Sequence, residues 1–293
     1  MAEFVLSAFA DEAGDSLDEQ IAALVGNGIR YIEPRNIDRV GVLDHTEESL
    51  AAIKAKLDEN GIKVGSLGSP IGKYDITADF DSYLVTFEKA LRACEILGTK
   101  KMRMFSFFVE QDKLAEHRDE VIRRLRVLVD LASERGITLC HENESRIYGQ
   151  MPAEVNDLMD NVKGLKAIFD PANYRMNDGD VMAGIEATLK SFAYLHIKDA
   201  IYSTQTILPA GEGEGRIADV INIVNGKVEG EVMLTLEPHL SVFHAYASID
   251  EHELKGKYNF DNTRDAFDFA ANALKKLLTE NGYREDENGK WKK

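Results

Sequence analysis

Short apolar runs alternate with longer amphipathic stretches along the whole chain. FVLSAF (4–9), IRYIEP (29–34), IKVGSLG (62–68) and KKMRMFSF (100–107) each fit a buried strand. ITLCHE (137–142), LKAIFD (165–170), FAYLHIKD (192–199) and GEVMLTLE (230–237) continue the series. The stretches between them carry helical spacing. Leu17, Ile21, Leu24 and Val25 share one stripe behind an N-cap at Ser16. TEESLAAIKAKLDENG opens on Thr46 and closes on Gly61. YLVTFEKALRACEILG and EVIRRLRVLVDLASERG repeat the pattern and also end at glycine, and RDAFDFAANALKKLLTENG supplies a last helix.

Eight strands alternating with about eight helices predict parallel βαβ units. An open doubly wound sheet is the rival, and it usually carries a glycine-rich phosphate loop after its first strand. SAFADEAGD holds no G-x-G-x-x-G. A length of 293 residues suits a single α/β domain folded as a (β/α)8 barrel. The expected barrel covers residues 1–283, and the polar tail REDENGKWKK (284–293) is expected to be loosely held, with a turn at Asn288–Gly289.

Composition narrows the picture only in places. Hydrophobic residues make up 44% of the chain, enough for a large core. A net charge of -16 opposes non-specific attraction to nucleic acid or anionic membrane. Cys94 and Cys140 read as small buried apolar residues with no CxxC and no disulfide framework. MAEFVLSAFADEAGD has no basic region ahead of an apolar run, and no stretch reaches membrane-span length. The expectation is a soluble cytoplasmic protein with no nucleic-acid or membrane partner.

Chemistry concentrates where the last four strands end. Strand ends form the active face of such a barrel. There the chain reads HENE, FDPAN, HIKD and LEPH, which brings Glu142, Asp170, His196 and Glu237 to one rim on four neighbouring strands. Taken alone, Asp170 before Pro171 reads as a turn residue and His196 as a core histidine. Four at one depth on successive strands read instead as ligands. Three oxygens and one nitrogen suit a divalent cation, Mn²⁺, Mg²⁺ or Co²⁺, with Zn²⁺ as a further candidate. Clustered carboxylates without a cation would repel one another. His141 is expected to point away from Glu142, as successive strand residues do.

In that order, CHENE, FDPAN, LHIKD and TLEP resemble the sugar isomerase/epimerase group of the xylose isomerase-like barrels, together with the PAGEGEG loop (209–215). This group includes ketose 3-epimerases, inosose dehydratase and hydroxypyruvate isomerase. The resemblance spans the chain. It implies that the four residues bind one divalent ion, with Mn²⁺ the leading candidate, and that Glu142 and Glu237 form the acid/base pair. In such chemistry a metal holding a carbonyl and a hydroxyl oxygen acidifies the adjacent C–H. A carboxylate then removes the proton and another returns it. The implied partner is a small keto-sugar or polyol, and homo-oligomers are common in the group. A lyase acting on an inosose or 3-keto-sugar through the same proton abstraction is the alternative. An abasic-site endonuclease shares the barrel but needs additional histidines, which strands three and four do not end in.

The chain also departs from the group. Asn173 stands where many of these epimerases have histidine, and Tyr202 where many have arginine. Asn173 is carried forward as a substrate-binding candidate. Lys198 either holds a substrate hydroxyl or carboxylate or pairs with Asp199 or Glu212. Glu144 is a candidate hydroxyl contact and Arg103 a candidate substrate contact. Glu33 and Arg35 end strand two, while SLGSPIGK reads as a rim loop. Phe105, Phe107 and Phe108 divide between stacking and core. Asp11 and Glu12 read as helix-starting residues next to Phe9, which could reach the pocket.

Overall fold

In the computed structural model, which describes residues 1–244 and 257–293, eight parallel strands alternate with helices around one axis. The strands are β1 (Ala2–Ala8), β2 (Tyr31–Ile32), β3 (Lys63–Val64), β4 (Lys101–Met104), β5 (Thr138–Glu142), β6 (Lys166–Phe169), β7 (Phe192–Ile197) and β8 (Gly230–Leu236). β8 pairs with β1 along seven residues, from Ala2 opposite Gly230 to Ala8 opposite Leu236. The ladders run on from β4 through β5, β6 and β7 to β8. β1 also pairs with β2, and β2 with β3. Between β3 and β4 the ring closes through Leu67, which bridges to Met102 and bonds the backbone on both sides of it. This is the expected (β/α)8 barrel.

The described helices are α1 (Leu17–Gly26), α2 (Glu47–Glu59), α3 (Phe80–Leu97), α4 (Leu114–Glu134), α5 (Pro152–Asn161), α6 (Pro171–Met176), α7 (Val181–Leu189), α8 (Ile217–Lys227) and α9 (Thr263–Glu280). Their starts follow capping chemistry. The Ser16 hydroxyl accepts from the Glu19 backbone, and Glu19 reaches back to the Ser16 backbone N–H. At the starts of α2, α3 and α9 the side chains of Thr46, Asp79 and Asn262 each accept a backbone N–H. Gly98 ends α3 at φ 71°, a left-handed conformation that glycine adopts without steric cost.

The core lies between barrel and helices. Inside the barrel, Val5, Cys140, Ile168, Tyr194 and Met233 pack together as an apolar layer beneath the rim. Both cysteines are free and buried. Two short antiparallel ribbons decorate the upper face, at 36–41 and at 199–208. β2 and β3 are shorter than their apolar runs, with Ile32 and Val64 their last paired residues.

The tail differs from expectation. Arg284–Glu285 and Lys290–Lys292 form a hairpin whose turn lies at Asn288–Gly289, as the sequence suggested. It is not loosely held. Lys290 and Trp291 pair antiparallel with Val5 and Phe4 of β1, Trp291 is buried, and Lys290 and Lys292 reach Glu3. Polarity masked a single buried indole as anchor. Trp291→Ala should therefore destabilise the protein by about 3 kcal/mol, the usual cost of emptying a buried aromatic site. A thermal melt unchanged by the substitution would show that the tail contributes nothing to the barrel.

Candidate metal centre

The four rim residues come together. Glu142 is the last residue of β5, Asp170 follows β6, His196 lies in β7 and Glu237 follows β8. Thr235 is opposite His196 in the ladder, so Glu237 stands just above the histidine's level. All four side chains are buried, and one ligand atom from each lies within 4.8 Å of the others. His196 Nδ1 is 3.0 Å from Glu142 Oε1 and 3.3 Å from Glu237 Oε2. Asp170 caps α6, where its Oδ1 accepts from the Asn173 backbone at 2.9 Å. That leaves Oδ2 free to face the cluster.

The donor set fits a divalent ion. Asp170 Oδ2 and Glu237 Oε2 are buried and accept no hydrogen bond among the described residues. Their contacts are ion pairs with Lys198 and His196 and not hydrogen bonds, and a cation shared between them would satisfy both oxygens. Glu142, Asp170, His196 and Glu237 would hold it, with three carboxylates and one imidazole as ligands.

The electrostatics match a site built around positive charge. Burial pushes the Asp170 carboxyl up to about 6 even with the Lys198 ammonium beside it. Burial also opposes ionisation of Glu142, but His196 and Arg103 outweigh it and hold the group at about 2. Burial acts the same way on Glu237, and Lys198, His196 and His239 hold it well below the carboxylate range. On His196 burial favours the neutral ring, yet Glu142 and Glu33 keep it protonated well above 6.5. A cation must displace protons here. The ion competes with the Asp170 proton below about pH 6 and with the His196 proton well above 6.5, so affinity should fall by at least about tenfold per pH unit between pH 7.5 and pH 5. Calorimetric titration with Mn²⁺ at pH 5 and pH 7.5 checks this, and equal affinities would contradict it.

The remaining candidates fall around this cluster. Arg103 donates to Glu142 Oε2 at 3.3 Å and to the carbonyls of Gly68 and Ser69, so it braces Glu142 and is itself buried. Asn173 Nδ2 lies 3.3 Å from Glu142 Oε1 and donates to the Asn143 carbonyl at 2.9 Å. Lys198 Nζ sits 3.2 Å from Asp170 Oδ2 and 3.7 Å from Glu237 Oε2. Neither expected partner holds it. The Asp199 carboxylate instead accepts from the backbones of Gly211, Gly213 and Gly215 and fastens the PAGEGEG loop, while Glu212 meets Lys257 and Tyr258. Glu144 pairs with Lys73 at 3.2 Å, linking the loops after β3 and β5. Tyr202 is partly exposed and lies against Arg175, outside the cluster. His141 turns away, with Nε2 2.9 Å from Ser106 Oγ. Phe105 and Phe107 are buried.

Sequence reasoning gave too little weight to the ends of the first two strands. Asp11 and Glu12 do not simply start a helix. Both are buried against Arg35, which forks to Asp11 Oδ1 and Oδ2 at 3.0 Å, reaches Glu12 Oε1 at 3.2 Å and Glu237 Oε1 at 3.1 Å. Phe9 does reach the site. Arg35 and Arg103 each lie within 5 Å of its ring centre, and its edge meets His196. Glu12, Glu237 and His239 form a second acidic group. There the Arg35 guanidinium already contacts the oxygens that a cation would need, at 3.2 Å and 3.1 Å. The signal was present: reading the ends of strands one and two as the later four were read puts ADE and EPRN on the same rim. A cavity of about 580 Å³ opens beside this cluster, lined by Asp11, Phe243, Asn262 and Arg264 among others, and not by Glu142, Asp170, His196 or Glu237.

The fold and the rim place the chain in a known class. It belongs to the xylose isomerase-like TIM barrel family, whose sequence model matches residues 21–242. No curated protein sequence matches significantly. Among solved structures, the IOLI protein with a bound zinc atom is similar over 95% of this chain and 98% of its own, with TM-score 0.72 and 15% identity. D-psicose 3-epimerase in the presence of D-fructose is similar over 95% and 99%, with TM-score 0.70 and 16% identity. A probable 3-DHS dehydratase of petrobactin synthesis, AsbF from Bacillus anthracis, is similar over 94% and 99%, with TM-score 0.68 and 14% identity. Likeness at these identities establishes the shared barrel. Among the described residues no helix is long and apolar enough to cross a membrane.

Proposed function

We propose that the protein is a divalent-metal-dependent isomerase or epimerase of a keto-sugar or polyol, with Glu142 and Glu237 as its proton-transfer pair. One observation carries the reading. The two buried glutamates meet at His196 Nδ1, each with one oxygen turned inward, while an arginine holds the other. Arg103 fixes Glu142 through Oε2, and Arg35 fixes Glu237 through Oε1. When bound, the divalent ion, Mn²⁺ as leading candidate with Mg²⁺, Co²⁺ or Zn²⁺ as others, acidifies the C–H beside a chelated carbonyl and offsets charge developing on oxygen.

The chain's own residues do the rest. One glutamate takes the proton from carbon and the other returns one, and inversion or carbonyl migration depends on which carbon receives it. Asp170 is engaged by the α6 backbone through Oδ1, so its role is ligation through Oδ2. Lys198 offers an ammonium beside two ligand oxygens and can donate to a substrate oxygen held there. Asn173 and Arg103 orient Glu142. Buried surroundings exclude water and strengthen each of these interactions.

Lys198 also favours a second reading. An ammonium at this position can protonate a departing hydroxyl, which would make the enzyme a lyase acting on an inosose or 3-keto-sugar. The proton abstraction is shared and only the fate of the carbanionic intermediate differs. Incubation of the Mn²⁺-supplemented protein with keto-sugars and inososes, followed by mass spectrometry, separates the two. An isomer of unchanged mass supports isomerisation or epimerisation, and loss of one water supports the lyase. Inertness toward every member of both classes would sink the proposal.

A further inference from the structure

We infer that Glu33 selects the metal-binding tautomer of His196 and so acts as a positioning residue for the centre, an inference that depends on the metal reading above. The two ring nitrogens of His196 face different surroundings. Nδ1 points to the ligand oxygens of Glu142 and Glu237 at 3.0 Å and 3.3 Å. Nε2 faces Glu33 Oε2 at 3.5 Å. Neither Nε2 nor Glu33 Oε2 has a hydrogen-bond partner among the described residues, and both side chains are fully buried. Neutral imidazole carries one proton. If Nδ1 gives its lone pair to a metal, the proton must sit on Nε2, and the structure puts a carboxylate oxygen opposite it.

The carboxylate is itself held. Glu33 Oε1 accepts from the Tyr194 hydroxyl at 2.7 Å, and that hydroxyl lies 2.9 Å from Ser66 Oγ. Tyr194 stands two residues before His196 on β7, so both side chains point into the barrel and one strand sets their relation. The rings of Phe9 and Tyr194 lie 5.1 Å and 5.6 Å from the imidazole, which limits its rotation. Glu33 makes no ion pair with a lysine or arginine among the described residues. A fully buried carboxylate without such a partner is costly, and serving an imidazole N–H accounts for its presence. A ligating histidine generally donates its second nitrogen to a group of this kind, which fixes the ring and raises its basicity.

If Glu33 serves only to accept from Tyr194, its replacement alters stability and leaves metal binding alone. The test therefore reads metal. Glu33→Gln keeps the volume and removes the negative charge, and it should weaken Mn²⁺ binding by about 10- to 100-fold in titrations followed by electron paramagnetic resonance. Tyr194→Phe, which frees Glu33 without touching it, should weaken binding to a smaller degree and serves if the first variant folds poorly. In the Zn²⁺-loaded wild type with ¹⁵N-labelled histidine, His196 should show a protonated Nε2 and a metal-bound Nδ1. Affinities equal to wild type in both variants, or metal on Nε2, would overturn the role of Glu33 alone. Wild type that takes up no divalent ion would overturn the metal reading and this inference together.

Discussion

Glu142→Gln should cut proton exchange at the substrate carbon by about 10²- to 10⁴-fold, the range typical for losing a positioned general base. The substitution keeps the size of the side chain and removes the charge. It also replaces the oxygen that meets Arg103 at 3.3 Å or the one that meets His196 at 3.0 Å with an amide nitrogen. Either choice sets the amide nitrogen against a donor, Arg103 on one side or Asn173 Nδ2 on the other, so metal affinity should fall as well. The two losses separate when exchange is measured at saturating Mn²⁺, with bound metal counted by elemental analysis. Exchange within tenfold of wild type in a metal-loaded variant would remove Glu142 from proton transfer and leave it a ligand.

The second large effect is on stability. Arg35 is buried and meets Asp11, Glu12 and Glu237 at 3.0–3.2 Å. Arg35→Met removes the guanidinium shared by three buried carboxylates, and breaking a buried pair by removing one partner usually costs about 3–5 kcal/mol. An exposed pair such as Arg39 with Asp15 gives the contrast, since its loss should leave the melting temperature almost unchanged. The Arg35 variant should also respond more strongly to Mn²⁺ than wild type, because the ion restores positive charge beside Glu237. Denaturant unfolding with and without Mn²⁺ reads both effects. A variant as stable as wild type would show that Arg35 is not the counter-charge of this cluster.

What was legible in the sequence divides along physical lines. The barrel could be read because its strands and five of its helices announce themselves locally, through apolar runs, caps such as Ser16 and a terminating Gly98. The four central residues could be read because each closes one of four successive strands, so backbone register alone brings them together. Arg35 was less legible. Its partners lie 23 to 202 residues away, and its pairing depends on loops that carry no periodic signal. Lys198 shows the same limit: two acids near it in sequence or on the adjoining loop looked like partners, but the strand turns its ammonium inward to Asp170. The tail misled for the opposite reason, since its polar composition outweighed the single Trp291 that anchors it.

The central claim is that Glu142, Asp170, His196 and Glu237 hold one divalent ion and that the two glutamates work on a carbon-bound proton beside it. The most direct measurement is nuclear magnetic resonance of keto-sugars and inososes incubated with Mn²⁺-loaded protein in D₂O, after removal of the ion. The account predicts deuterium at a single carbon next to the carbonyl, lost on chelation and restored by Mn²⁺. Bound metal with no exchange at any carbon of any candidate would contradict it.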